Sequence, residues 1–262
     1  MRLKPEFDKY SVFILDCDGV LWRGERVIEG APQAVKALVE LGKTVVYATN
    51  NSTRSRKVYA RRLGRMGFPA EENMVFSSSY ITARYLEGRV STAFVIGEEG
   101  LVEELLARGI EIAPLDPDER VDSVVVGLDR GLTYGKLALA LSHLEKEALF
   151  VATNRDVTLP SSTGLLPGAG AIVAALETAS GRKVDVEAGK PSPIFFETVL
   201  RDKNVDPSEA LVIGDRLDTD IEGAEKAGLD SALVFTGVAR PGDVGAAKPT
   251  FTLNNLLDLF SA

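Results

Sequence analysis

Three short stretches of the chain gather residues that could do chemistry together. They are Asp16-Cys17-Asp18-Gly19, Thr49-Asn50-Asn51-Ser52, and Gly214-Asp215-Arg216-Leu217-Asp218-Thr219-Asp220, with Lys190 in Gly189-Lys190-Pro191 between the second and third. Residues two apart in an extended segment point the same way, so Asp16 and Asp18 share a side. Two such carboxylates repel unless a cation or a shared proton intervenes. Several carboxylates in one crevice call for a hard, oxygen-loving cation, and Mg²⁺ suits them best. A lysine and a hydroxyl beside them suit a phosphate. Each piece also has an ordinary structural explanation. Asp-Gly favours turns, Asp220 and Thr49 fall where a helix start would use them, and Lys190 by itself reads as a loop lysine. The set, in this order, is harder to dismiss than any member.

The elements that must position these residues are legible as well. Continuous apolar runs at 12–15, 44–48, 93–96, 123–126, 149–152, 210–213 and 232–235 read as strands buried on both faces. Helical patterns at 32–41, 55–66, 98–108, 134–145, 171–180, 193–202 and 220–227 lie between them. This alternation predicts an α/β protein with parallel sheets, and the number of strands predicts two α/β units. In such sheets ligands bind beyond the carboxyl ends of the strands. The strands ending at 15, 48 and 213 are followed by the acids and hydroxyls, whereas those ending at 96 and 126 are followed by Gly97-Glu98 and Gly127-Leu128-Asp129. The first group therefore carries the site and the second belongs to another module.

Composition excludes other chemistries. Among 262 residues there is one histidine, His143, and one cysteine, Cys17. Multi-His and Cys/His zinc sites within one chain are therefore out, and a Ser-His-Asp or Cys-His pair would need His143 as its base. A lone cysteine makes no internal disulfide, which points to a cytoplasmic setting. The net charge of −8 argues against a nucleic-acid binder, and an anionic substrate would need a local positive site. No apolar run approaches the ~18–20 residues of a membrane span, and the first residues do not read as a secretory signal. A Walker A loop fails at Ala37 and Val184, where its first glycine would stand. Gly168-Ala169-Gly170 starts like a dinucleotide fingerprint but does not complete it. His143 is expected to be structural. Cys17 should point away from the two aspartates into packing, and Trp22 is either a packed loop anchor or part of the site entrance.

Asp16-Cys17-Asp18-Gly19-Val20-Leu21-Trp22, Thr49 to Ser52, Gly189-Lys190-Pro191 and Gly214-Asp215 through Asp220 together resemble the four motifs of haloacid dehalogenase (HAD) superfamily phosphatases. The segment Thr153-Asn154-Arg155-Asp156 through Gly170 is similar to the branch of p-nitrophenyl, phosphoglycolate and pyridoxal phosphate phosphatases. The resemblance implies a Rossmann-like HAD core with a doubly wound parallel sheet at residues 1–88 and 185–262. It also implies an inserted, smaller α/β cap domain at 89–184 that selects the substrate. It further implies a Mg²⁺-dependent hydrolysis of small phosphate monoesters through an aspartyl-phosphate. Asp16 would be the nucleophile and Asp18 the acid and base. The metal would lie on Asp16, the Asp18 main chain and Asp215. Thr49 and Lys190 would hold the phosphate, Gly19 would let the backbone approach it, and Asp220 would act behind the metal or Lys190. Asn50, Asn51, Asp156 and Leu159 would face the substrate. Pyridoxal phosphate phosphatases tend to carry a histidine where this chain has Leu159, which disfavours that substrate and leaves phosphoglycolate, glycerol phosphate and broad activity open. The second aspartate, Asp18, disfavours carbon–halogen cleavage, since a halide needs no acid. The resemblance also implies a homodimer through the cap. The rival readings are a receiver-like phospho-acceptor module, a retired interaction protein, and a phosphotransferase or phosphomutase on the same core.

Overall fold

The computed structural model describes residues 1–116, 119–161, 164–243 and 247–261, with the side chains of 160 and 161 left out. By internal contacts the chain divides into two compact units. The first comprises Met1–Thr49, Lys57–Phe76 and Lys190–Ala262; the second comprises Asn50–Arg56 and Ser77–Gly189.

The first unit is built on a six-stranded sheet in the order Phe251–Leu253, Asp230–Val234, Ala210–Gly214, Val12–Asp16, Thr44–Thr49, Val75–Ser77. The first five strands run parallel. Val12–Asp16 lies between its successor in sequence, Thr44–Thr49, and the strand that opens the other half, Ala210–Gly214. The chain order therefore reverses at Val12–Asp16, which is where an open parallel sheet leaves a crevice beyond its strand ends. Val12, Phe13, Ile14 and Leu15 are all buried, as expected of a strand covered on both faces. Phe13, Leu15 and Cys17 join a core with Val45, Tyr47, Leu211 and Ile213, backed by Val35 and Leu38 of the helix Ala31–Glu40. The two-residue period that sends Cys17 into this core turns Asp16 and Asp18 the other way.

The second unit has its own parallel sheet, ordered Val186–Glu187, Leu149–Ala152, Ser123–Val126, Thr92–Ile96, Glu111–Ile112. A separate hairpin pairs Thr158–Ser161 with Gly164–Pro167. The helix Ser78–Leu86 has no counterpart in the sequence reading. Its Ser, Thr and Tyr residues are indifferent helix formers, and seven of its nine residues are buried, so no amphipathic stripe marks it. Ser77 caps it by accepting from the Tyr80 N–H. This helix packs on Glu99–Leu106, which is why residues 77–88 associate with the second unit, although the resemblance put them in the first. Residues 50–56 associate with it too: Arg56 donates through both its backbone N–H and its Nε to the buried Glu104. Residues 185–189 follow because Val186–Glu187 is an edge strand of the second sheet.

His143 lies in the last turn of the helix Tyr134–Glu145, buried against Phe94 at 5.0 Å between ring centroids. Neither ring nitrogen has a hydrogen-bond partner among the described residues. Burial, and then the nearby Lys146 charge, push its pKa below the ordinary value, and Glu119 opposes this only in part. The unfolded chain therefore takes up this proton more readily than the folded one. The associated stability is present above about pH 6.5 and is lost as pH falls. The His143→Leu variant should melt above the parent, with a margin that widens as pH drops from about 7 to 5. A margin that stays constant across thermal melts over that range would refute this.

Candidate active site

The reactive residues of the first unit come from three neighbouring strand ends. Asp16 is the last residue of Val12–Asp16 and pairs with Ala48, so Thr49 lies one residue further along the adjacent strand. On the other side Leu15 pairs with Ile213, which brings Gly214-Asp215 level with the end of the same strand. Thr49 does not cap a helix, because the next one spans Arg56–Arg65. Asp220 does not lie at a helix N-cap either. Residues Leu217–Ile221 form a π-helical turn, closed by the Ile221 N–H on the Arg216 carbonyl, and the α-helix starts only at Glu222. Wide turns of this kind recur at functional sites. Here the turn directs Asp220 inward.

Lys190 joins these pieces. Its Nζ lies 2.5 Å from Asp16 Oδ1 and 2.7 Å from Asp220 Oδ1, and Lys190 is 3% exposed. Burial disfavours the charged ammonium, but Asp16 and Asp220 outweigh it and hold the proton on. Asp220 is held in turn by the Arg216 N–H on its Oδ2, at 3.2 Å. Asp215 accepts from the Val238 N–H on Oδ2 at 2.6 Å, while its Oδ1 is buried with no hydrogen-bond partner among the described residues. Oxygens of Asp16, Asp215 and Asp220 lie within 4.8 Å of one another. Three carboxylates thus face one ammonium. Burial raises Asp16 well above its usual range, and Asp220 and Asp215 add to that, while Lys190 pulls the other way. Burial followed by the Asp220 charge raises Asp215 to about 6. A buried acceptor without a donor, inside a cluster short of positive charge, fits a hard divalent cation bound through oxygen.

The cluster needs room that only glycine leaves. A side chain at Gly19, where φ is +90°, or at Gly237 would collide with the Asp215 carboxylate, and one at Gly214 would collide with Asp220. The Gly19 carbonyl accepts from Thr236 Oγ1 at 2.6 Å. Thr236, Gly237 and Val238 were missed in the sequence, although they follow the strand Asp230–Val234. Extending the strand-end reading to this strand would have found them. Asp18 is exposed, and its carboxylate accepts from the buried Trp22 indole at 2.8 Å. Although the side chain reaches solvent, the protein packed around it raises its carboxyl overall, and the Trp22 bond opposes this only in part. Trp22 is therefore a buried partner of Asp18. Cys17 is fully buried, and burial followed by the flanking aspartates pushes its thiol up.

The structure brings Asp16, Asp18, Gly19, Thr49, Lys190, Asp215 and Asp220 into one unit, and Asn50, Asn51, Asp156 and Leu159 into the other. In the second unit the hub is Asn154, which the sequence reading quoted only as part of a motif. Its Nδ2 donates to the Asn50 carbonyl at 2.8 Å, and its Oδ1 accepts the Asp156 N–H at 3.0 Å. Ser78 Oγ donates to the same Asn50 carbonyl, and Asn50 Nδ2 reaches Asp156 Oδ1 at 3.4 Å. Asn51 turns its amide oxygen to the Thr53 N–H and hydroxyl. Leu159 is half-buried on the hairpin, opposite Leu166.

A family model described as haloacid dehalogenase-like hydrolase matches residues 13–111, and a HAD-hydrolase-like model matches residues 187–259. Chronophin of Mus musculus is 43% identical over 238 residues, covering 86% of this chain and 81% of that protein. The chain belongs to the haloacid dehalogenase-like hydrolases. Among solved HAD structures, a p-nitrophenyl phosphatase from Archaeoglobus fulgidus aligns with a TM-score of 0.90 at 33% identity, covering 95% of this chain and 98% of that one. A glycerol phosphate phosphatase from Mycobacterium tuberculosis in complex with magnesium aligns with a TM-score of 0.90 at 35% identity, covering 98% and 78%. Among the described residues of this HAD chain, no helix is long and apolar enough to cross a membrane.

The charge imbalance has a measurable cost when no metal is bound. Asp215 carries a folded pKa of about 6, above its unfolded value. Its ionisation therefore destabilises the fold as pH rises through that range, and the penalty is absent below the unfolded value. In EDTA the Asp215→Asn variant should be more stable than the parent by ~1–3 kcal/mol at about pH 8, with the advantage fading towards pH 4. Denaturant melts at the two pH values check this; a variant less stable than the parent at the higher pH would contradict it.

Proposed function

We propose that this chain is a metal-dependent phosphatase that hydrolyses small phosphate monoesters through an aspartyl-phosphate on Asp16. The reading rests chiefly on one contrast. Asp16 is ion-paired to the buried Lys190, whereas Asp18, two residues on, is exposed and bonded to a neutral indole. Two carboxylates in unlike surroundings can take unlike roles. Asp16, held by the Lys190 ammonium at the strand end, suits a nucleophile; Asp18, outside that ion pair, open to solvent and raised by its surroundings, suits an acid.

The Asp16 and Asp215 carboxylates, with the Asp18 main-chain oxygen, would hold Mg²⁺, which supplies positive charge against the anionic phosphate. An Asp16 oxygen attacks phosphorus in line, and the bond from phosphorus to the ester oxygen breaks. Asp18 gives its proton to that leaving oxygen and becomes a carboxylate. It then takes a proton from water as the water oxygen attacks the same phosphorus, releasing inorganic phosphate and restoring Asp16. Lys190 and Thr49 hold the phosphoryl oxygens, and Asp220 keeps the Lys190 ammonium aimed at Asp16. The second unit acts as the cap that selects the substrate, through Asn50, Asn51, Asp156 and Leu159. Small polyol or acid phosphates such as glycerol phosphate and phosphoglycolate are the substrate class. The glycerol phosphate phosphatase among the relatives supports this choice.

The test is release of inorganic phosphate from a panel of monoesters with Mg²⁺. The parent should turn over p-nitrophenyl phosphate and at least one small metabolite ester, and excess EDTA should stop it. Asp16→Asn should be inert, and substantial turnover by that variant would remove Asp16 from the nucleophile's role. Lys190→Ala should lose a factor of about 10²–10³ in kcat or more, comparable to removing a donor to a developing anion. Transfer of the phosphoryl group to an added alcohol, with no phosphate released to water, would favour a phosphotransferase instead.

A further inference from the structure

The loop after the first core strand doubles back on itself. The Leu21 and Trp22 N–H groups both donate to the Cys17 carbonyl, at 2.9 and 3.3 Å, and the Gly19 N–H donates to the Trp22 carbonyl at 2.7 Å. Asp18 and Trp22 thereby form an isolated bridge. This return carries the indole Nε1 to within 2.8 Å of Asp18 Oδ1. Trp22 is the largest of the fully buried side chains, and its indole N–H has no other assigned acceptor among the described residues. On its face lies the Arg62 guanidinium, 4.6 Å from the ring centroid, itself anchored at 2.9 Å to the Gly24 carbonyl. The indole is thus gripped by the loop backbone, the core and an arginine, and it presents one rigid donor to one carboxylate oxygen.

An indole N–H can only donate. The carbonyl oxygen of a carboxylic acid is a better acceptor than its hydroxyl oxygen, so the bond from the indole to Oδ1 favours the proton on Oδ2. Building on the phosphatase reading, we propose that Trp22, held by Arg62, is the positioning residue that selects Oδ2 of Asp18 as the proton-donating oxygen. In the first half-reaction the Oδ2–H bond breaks as the bond from hydrogen to the leaving oxygen forms. In the second, Oδ2 takes a proton back from the attacking water, while Oδ1 stays bonded to Trp22 throughout.

A residue that aims a general acid matters in proportion to how much the leaving group needs protonation. p-Nitrophenolate is stable as an anion and needs little help, whereas an alkoxide needs a full proton. The discriminating quantity is the ratio of kcat/KM for an alkyl phosphate such as glycerol phosphate to that for p-nitrophenyl phosphate. Both values come from one enzyme sample, so a partly unfolded preparation cancels out of the ratio. Trp22→Phe keeps the packing ring and removes the donor; it should lower this ratio by ~10-fold or more, set against the 10²–10⁴-fold worth of a placed acid. Arg62→Gln should lower it in the same direction by less. A Trp22→Phe variant that loses activity equally on both esters, or loses none, overturns the proposal and leaves the phosphatase reading standing. A parent enzyme that releases no phosphate from either ester overturns both.

Discussion

Everything in the first unit answers to a shortage of positive charge at the end of its central strand. Three aspartates and one lysine are packed together out of water, and the lysine cannot neutralise all three. Buried ions are costly unless their partners are close and well oriented. Lys190 meets that condition for Asp16 and Asp220, but Asp215 is left with an orphaned oxygen. A sequence selected only for stability would have replaced one of these acids. Keeping all three makes sense for a protein whose working state brings in further positive charge together with a phosphate to bind it.

Such a cluster can exist only where backbone, rather than side chains, surrounds it. The glycines at 19, 214 and 237 are small because the aspartates occupy the space where a Cβ would stand. Backbone N–H groups of Arg216 and Val238 then do what bulkier polar side chains do elsewhere. The parallel sheet supplies the rest of the geometry. Reversing the strand order at Val12–Asp16 leaves both neighbouring strand ends free to contribute, so residues about two hundred positions apart in sequence become adjacent without any long loop having to be ordered.

Much of this was legible in the residues themselves. Strands buried on both faces are written as unbroken apolar runs, and the acids and hydroxyls at their ends stand out against them. Asp16, Thr49 and Asp215 were therefore visible from spacing. Lys190 was visible only as part of the set, because a lysine in a loop carries no signal of burial. What stayed hidden acts through the main chain or through packing. The Val238 N–H on Asp215 leaves no trace in side-chain type, and the helix Ser78–Leu86 is buried on nearly every side, so it shows no hydrophobic stripe. Trp22 was visible as a residue, but its contact with Asp18 depends on a loop reversal that composition does not encode. The role of Asn154 is of the same kind: an amide that ties down a backbone carbonyl over a hundred residues away looks like any other loop asparagine.

The division of the chain puts its covalent seams in unusual places. The second unit begins at Asn50, immediately after Thr49, and closes at Gly189, immediately before Lys190, with Lys57–Phe76 returning to the first unit in between. Thr49 and Lys190 are therefore also the residues covalently bonded to the first and last residues of the second unit. The two units are separate as packed bodies but not as parts that can be freely exchanged. Of the four points at which the chain crosses between the units, two therefore join directly to Thr49 and Lys190, and a foreign segment spliced in at those points would be bonded to residues of the site itself.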